Sequence, residues 1–261
     1  GDVTAWELGD GIDVTAPHGD VHLNTITGSV LAHLSKGEFS ARDVNGEVTS
    51  AGPCTDVTLS GIKGGVTLNC DYFGQINLER VSGPVHLHSR SDIQLAQLAG
   101  SLTLTDDSLN ISQAKGPVRV VTQSRDVDLS QIDGDSDVED RDGTIRIAPA
   151  GNYNVEAKNS KGDVEITLAP NASSTVNGQT HNGDIVTDFA LAVSGEENKT
   201  VSGRIGGGTA RITLSTDNGD LRIKKGSATV AAAPAATAAP NAPNAPHLKS
   251  SKALPAQPVT Q

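Results

Sequence analysis

The sequence predicts an all-β fold, a single-stranded parallel β-solenoid with roughly 18 residues per coil, and three observations carry that reading. Across residues 76–104 the apolar side chains step by 2, 3, 4 and 2, and the same steps begin again at Ile93. A step of two is the strand period, and a whole pattern recurring at roughly every 16 to 19 residues marks stacked coils. The residue between the first two inward positions is polar in every coil: Thr4, His22, Ser40, Thr58, Asn77, Gln94, Asn110, Asp128, Arg146 and Glu165. An outward row stays that clean only when the register is right. Glycine marks a corner: Gly28, Gly46, Gly83, Gly100, Gly116 and Gly134 stand two residues before the fourth inward position and Gly65 one before it, where the chain bends tightly.

In chain order, the first inward position falls at Val3, Val21, Phe39, Val57, Ile76, Ile93, Leu109, Val127, Ile145 and Val164. The third falls at Leu8, Ile26, Val44, Ile62, Val81, Leu98, Ala114 and Ile132. The fourth runs Ile12, Val30, Val48, Val66, Val85, Leu102 and Val118, then fails at Ser136. Pro84 and Pro117 open strands just after a glycine corner, where a missing donor is tolerated. Ten coils at ~4.8 Å each give a rod of roughly 50 Å, with stability close to a sum of neighbour terms. The winding reads as right-handed, because 2-3-4-2 steps are not those of a left-handed hexapeptide helix.

Residues 1–168 read as regular coils and residues 169–226 as irregular coils and a cap, together one domain. Within it, residues 189–223 close the rod and Phe189 covers the last coil. Residues 227–261 read as a disordered Pro/Ala-rich tail: half of the twelve prolines fall there, and such a segment buries too little to order itself.

Composition narrows the function. Hydrophobic residues make up 36% and only six residues are aromatic, which suits a thin interior of Val, Ile and Leu. The net charge of −11 argues against nucleic acid, which needs clustered Lys and Arg. No apolar run approaches the length of a membrane span. The chain holds no methionine and begins already in register, so a preceding signal peptide or membrane anchor is expected. Cys54 and Cys70, close to one coil apart, could bridge adjacent coils, but Cys70 aligns with Gly52, and a free pair fits equally.

The densest chemistry lies at residues 125–142, with eight acidic residues among eighteen. Asp133-Gly-Asp135-Ser-Asp137-Val-Glu139-Asp140 alternates carboxylates as a Ca²⁺ loop does. It places Val138 where an EF-hand needs glycine and Thr144 where it needs the bidentate acid, so it is not one. Asp128, Asp135, Asp137, Glu139 and Asp140 are the candidate ligand-binding residues, for a cation or a cationic ligand. The favoured alternative is that the charges pair between coils, with Arg119 beside Asp137 and Asp128 beside Arg146 beside Glu165. His86 and His88, flanked by Thr67 and Thr103, lack a third ligand for a metal. Gly203 to Gly208 lacks the Lys-Ser/Thr of a phosphate loop and reads as a turn. Asp106-Asp107 could serve acid–base catalysis, as in β-helix polysaccharide enzymes. With minimal corners and few ring platforms (Trp6, Tyr72, Phe73, Tyr153), an enzyme is not the expectation. No cofactor is expected.

The turns Lys161-Gly-Asp-Val164, Asn182-Gly-Asp-Ile185 and Asn218-Gly-Asp-Leu221, with Ser202-Gly-Arg-Ile-Gly-Gly-Gly208, carry a resemblance. Over most of residues 1–226 the chain resembles a bacterial family of adhesin-like proteins built on a domain of unknown function with a β-solenoid fold. That resemblance implies the fold and an extracytoplasmic, envelope-associated setting, in the periplasm or at the cell surface, and no active site. The expected function is a non-enzymatic binding or scaffold module that meets an envelope protein or glycan through its flat faces, with end-to-end self-association open to it. Two alternatives stand beside it: a sensory ectodomain binding a cationic ligand or Ca²⁺ on the acidic face, and a polysaccharide-active enzyme.

Overall fold

A computed structural model describes residues 1–226, except the side chains of Cys54, Asp71, Tyr72 and Phe73; the tail expected over 227–261 lies outside the described residues. All regular structure described is β-strand, and among the described residues no helix is long and apolar enough to cross a membrane. Five coils open the chain, each made of two strands: β1 (Val3–Leu8) with β2 (Ile12–Ala16), β3 (Val21–Ile26) with β4 (Val30–Leu34), β5 (Glu38–Val44) with β6 (Val48–Cys54), β7 (Asp56–Ile62) with β8 (Val66–Phe73), and β9 (Ile76–Val81) with β10 (Val85–His88). The first strands of the coils stack in one parallel ladder and the second strands in another. Val3 pairs Val21, Val21 pairs Phe39, Phe39 pairs Val57 and Val57 pairs Ile76, as the spacing requires. Between the ladders runs a buried core of Val, Ile and Leu, with Phe39 its largest fully buried side chain.

The step of three has a physical cause. Glu7, Thr25, Asp43, Arg80, Gln113 and Gln131 all carry φ between 51 and 57°, and Gly61 has φ 69°. Each stands directly before the third inward residue. One left-handed residue breaks the strict alternation and swings the chain toward the second ladder. An L-residue there costs roughly 1–2 kcal/mol, offset by the ladder bonds on either side.

The Gly-Asp turn has a cause too. Asp20 N–H donates to Asp2 Oδ1 (3.0 Å), Glu38 N–H to Asp20 Oδ1 (2.8 Å) and Thr144 N–H to Asp126 Oδ1 (2.9 Å). The same bond joins Asp220 N–H to Asp163 and Asp184 N–H to Asp220, each at 2.9 Å. The side chain before the first inward residue thus accepts the equivalent amide one coil on. That amide first, and Arg222 after it, hold the Asp163 carboxyl below its ordinary range.

Two expectations need correction. The coil read forward from Ile93 runs backward. β11 (Asp92–Leu104) is antiparallel to β10 and β9, with Ile93 opposite Leu87, Leu98 opposite Val81 and Leu104 opposite Ile76. β12 (Ser108–Val121) then runs forward, antiparallel to β11. The steps 2-3-4-2 reversed are 2-4-3-2, so the apolar pattern fits either direction once bulges between Leu95 and Gln97 and between Leu98 and Ser101 absorb the difference. Arg125 fastens both ends of the reversed strand: its Nη1 donates to Ser91 Oγ (2.6 Å) and its Nε to the Thr105 carbonyl (2.8 Å).

Parallel coils resume with β13 (Asp126–Ile132), β14 (Ser136–Asp142), β15 (Ile145–Pro149), β16 (Val155–Lys161) and β17 (Val164–Leu168). Then come β18 (Ser174–Asn182), β19 (Ile185–Thr187), β20 (Ala192–Ser194), β21 (Lys199–Ile205), β22 (Ala210–Asn218) and β23 (Leu221–Lys225). The last two do not close the rod. β22 lies between β16 and β18, and β23 between β17 and β19. The corner glycines record the same order, since a Cβ on Gly162 would strike the Gly143 carbonyl, one on Gly219 that of Gly162, and one on Gly183 that of Gly219. Arg222 secures the inserted coil, donating to Asp163 Oδ2 (2.5 Å) and Asp220 Oδ2 (2.8 Å). The end is covered instead by β18, β21 and β20, antiparallel in turn, with Phe189 and Leu191 partly buried against the core.

The left-handed column yields a test. Thr25→Gly relieves a β-branched residue at positive φ and is expected to raise unfolding free energy by about 0.5–1 kcal/mol, whereas Thr58→Gly, in extended backbone, lowers it by about as much. Urea denaturation of the two variants checks the opposite signs.

Candidate functional site

The acidic stretch supplies β13 and β14, and the two strands send its carboxylates to different places. Asp128 lies on the first ladder, paired with Asn110 and Arg146, and Arg146 pairs Glu165 in turn. Asp137 lies on the second ladder in a row with Arg119 and Glu156. The five expected ligand residues therefore do not converge.

Most of the carboxylates on the second ladder are already answered. Arg119 Nη1 donates to Asp137 Oδ2 at 2.6 Å. Asp135 accepts the Asn154 N–H (2.9 Å) and Asn154 Nδ2 (3.1 Å). Glu139 stands opposite Lys158, whose Nζ lies 2.5 Å from Glu156 Oε1. These pairs are exposed, so solvent screens them and they add little to stability. They border a shallow groove of about 760 Å³ lined by Arg119, Asp135, Asp137, Asn154, Glu156 and Arg211. Among the described residues, no three His, Cys, Asp or Glu side chains are grouped to hold a metal ion.

The other motifs fall into structural places. His86 is flanked by Thr67 and, because β11 is reversed, by Gln94 where Thr103 was expected. Asp106 and Asp107 sit exposed in the hairpin before β12, where their charge acts on Arg125. The Tyr153 hydroxyl donates to Asp133. Within Gly203 to Gly208, the Gly208 N–H donates to the Ile205 carbonyl, closing the turn between β21 and β22. Cys70 pairs in register with Gly52, is buried, and is disulfide-bonded; the side chain of Cys54 lies outside the described residues.

Asp140 has a place that the charge pattern did not suggest. It faces inward, 2% exposed, in a column of buried polar residues along one corner: Thr122, Asp140, Asn159, Thr216 and Thr180, one per coil in spatial order. Three of them donate to the corner carbonyl of the neighbouring coil. Asn159 Nδ2 reaches Gly143 O (2.6 Å), Thr216 Oγ1 reaches Gly162 O (2.9 Å) and Thr180 Oγ1 reaches Gly219 O (2.8 Å). Asp140 Oδ2 occupies the matching point: the Cβ of an alanine at Gly143 would lie 2.9 Å from it and strike the Arg125 carbonyl, as one at Gly162 would lie 3.1 Å from Asn159 Nδ2 and strike the Gly143 carbonyl. Yet neither carboxylate oxygen has a hydrogen-bond partner. An ionised carboxylate offers no donor to a carbonyl, whereas a neutral carboxyl does. Burial pushes its pKa up, and the nearby Arg141, Asp142 and Arg125 amides only partly oppose this. The period-two run Ser136, Val138, Asp140 already pointed inward in the sequence; the surrounding charge masked it.

The Toastrack DUF4097 family model matches residues 56–224, from β7 to β23, spanning both the reversed strand and the inserted coil. No curated protein and no solved structure gives a significant match.

Because its folded pKa is raised, Asp140 contributes its full stability below the unfolded value near 3.9 and loses it as pH climbs through the folded value. Asp140→Asn keeps the donor without the charge. Urea denaturation from pH 4 to 8 is expected to show the variant equal to the parent in acid and about 1–2 kcal/mol more stable near neutrality. A difference that ignores pH would contradict the placement.

Proposed function

We propose that this chain, which belongs to the Toastrack DUF4097 family, is a non-enzymatic binding or scaffold module of the bacterial cell envelope. The observation that carries the reading is the pair of ladder faces. Each presents rows of mostly polar outward side chains, and among the described residues no long loop between the strands could wall a catalytic cleft. Flat ladders of this kind suit an extended partner laid across the coils. The disulfide at Cys70 fits an oxidising compartment, periplasm or cell surface, where such bonds persist.

The sensory reading, with a cationic ligand on the acidic face, has weaker support. Asp137 and Glu156 are already engaged by Arg119 and Lys158, and Asp128 looks out from the other ladder. Such a ligand would have to displace cations already in place.

Fractionation tests the main reading. The protein is expected with the envelope fraction, oxidised on a non-reducing gel, and its purified rod is expected to bind isolated envelope material saturably with little salt dependence. A cytoplasmic protein with free thiols would overturn it. Binding lost in high salt, and lost again in Asp135→Asn/Asp137→Asn/Glu139→Gln, would favour the sensory reading instead.

A further inference from the structure

The first ladder holds a second concavity, of about 440 Å³, over the first four coils, lined among others by Trp6, His22, Asn24, Ser40, Arg42 and Ser60. Trp6 is the only tryptophan of the chain and is 66% exposed, the most exposed of the large hydrophobic side chains described. Register places it at the head of an outward row, Trp6 to Asn24 to Arg42 to Ser60. Beside this row runs another, Thr4 to His22 to Ser40 to Thr58, in which His22 Nδ1 and Ser40 Oγ lie 2.7 Å apart.

Two features set this surface apart. Among the described residues no carboxylate lines it, although the chain carries 31 acidic against 20 basic residues. Arg42 is exposed and forms none of the ion pairs found among the described residues, whereas Arg80, on the next coils, is tied to Glu79 and Ser60. An open indole beside rows of hydroxyl and amide groups offers an apolar plane with hydrogen-bonding edges, which matches the two faces of a sugar ring. A free guanidinium two rungs away, about 10 Å along the rod, offers a fork for a carboxylate.

We infer that the Trp6–Arg42 face binds an anionic polysaccharide, one sugar ring stacked on Trp6 and a uronate carboxylate held by Arg42. The inference rests on the binding-module reading and assigns the ligand class and the face. Except for Thr58 and Ser60, the lining residues named above precede residue 56, so most of this site lies outside the range matched by the family model. A neutral glycan would leave Arg42 unanswered, and a cationic one would meet its charge.

Trp6, as the only tryptophan, reports directly. Titration of the whole chain with tetragalacturonate is expected to change Trp6 emission saturably, while maltotetraose of the same length does not. Arg42→Gln is expected to weaken binding at least tenfold, and calorimetry on Trp6→Ala to show it abolished; both side chains are exposed, so the fold is retained. An indole that acrylamide cannot quench, or equal affinity for the neutral sugar, would overturn the inference. So would tetragalacturonate binding that survives both substitutions, but that result would leave the binding-module reading standing with the ligand elsewhere. No binding to either sugar would overturn the inference alone.

Discussion

Every coil must set each of its residues directly over the equivalent residue of the next, because the amides of one are bonded to the carbonyls of its neighbour. That constraint turns single-residue requirements into columns. The core column is apolar because each side chain is walled by its counterparts above and below. The corner column is glycine because a Cβ would strike the next carbonyl. The left-handed column repeats because one displaced bend would break the ladder bonds on both sides. Part of the acidity follows as well, since Asp2, Asp20, Asp126, Asp163 and Asp220 accept amides across coils. A net charge that reads as a surface property is partly a framework of caps.

The same constraint permits unusual chain paths. A ladder needs a partner of matching length and pattern, and either direction serves, so β11 can run backward where its inward residues still meet Ile76 and Leu109. Nor must order in sequence be order in space. β22 and β23 complete the stack between coils made earlier, which leaves β18, β20 and β21 to shield the end. The coil at the end of the described chain is thereby bonded on both sides, and Arg222 ties it to Asp163.

Periodicity made the fold class, the inward positions and the polar row legible, because those depend on local spacing. Direction and stacking order were hidden, because 2-3-4-2 is nearly symmetric and the turn Asn218-Gly-Asp220 resembles Lys161-Gly-Asp163 as closely as Asn182-Gly-Asp184 does. One trace was available: the two shortest repeats, Ile76 to Ile93 and Ile93 to Leu109, flank the reversed strand, as hairpins shorter than a coil corner would make them. The pairing of Arg119 with Asp137 was legible from register. The burial of Asp140 was legible only by following the alternation past Ser136, against the pull of neighbouring acids. Arg42 carried no sequence signal, since only the structure shows that no acid lines its concavity.

Functionally, the charged groove by Asp135 and the acid-free concavity by Trp6 lie on different ladders of one rod, so the stacked framework offers two faces of different chemistry. Both depend on the coil order. The most direct test is disulfide cross-linking of paired cysteines introduced on the second ladder. Glu156→Cys with Thr213→Cys, direct neighbours between β16 and β22, is expected to cross-link readily. Glu156→Cys with Asn177→Cys, two rungs or about 10 Å apart, lies beyond disulfide reach and is expected to stay open. The reverse outcome, with 156 joined to 177 and not to 213, would mean that the coils stack in chain order and would contradict the account.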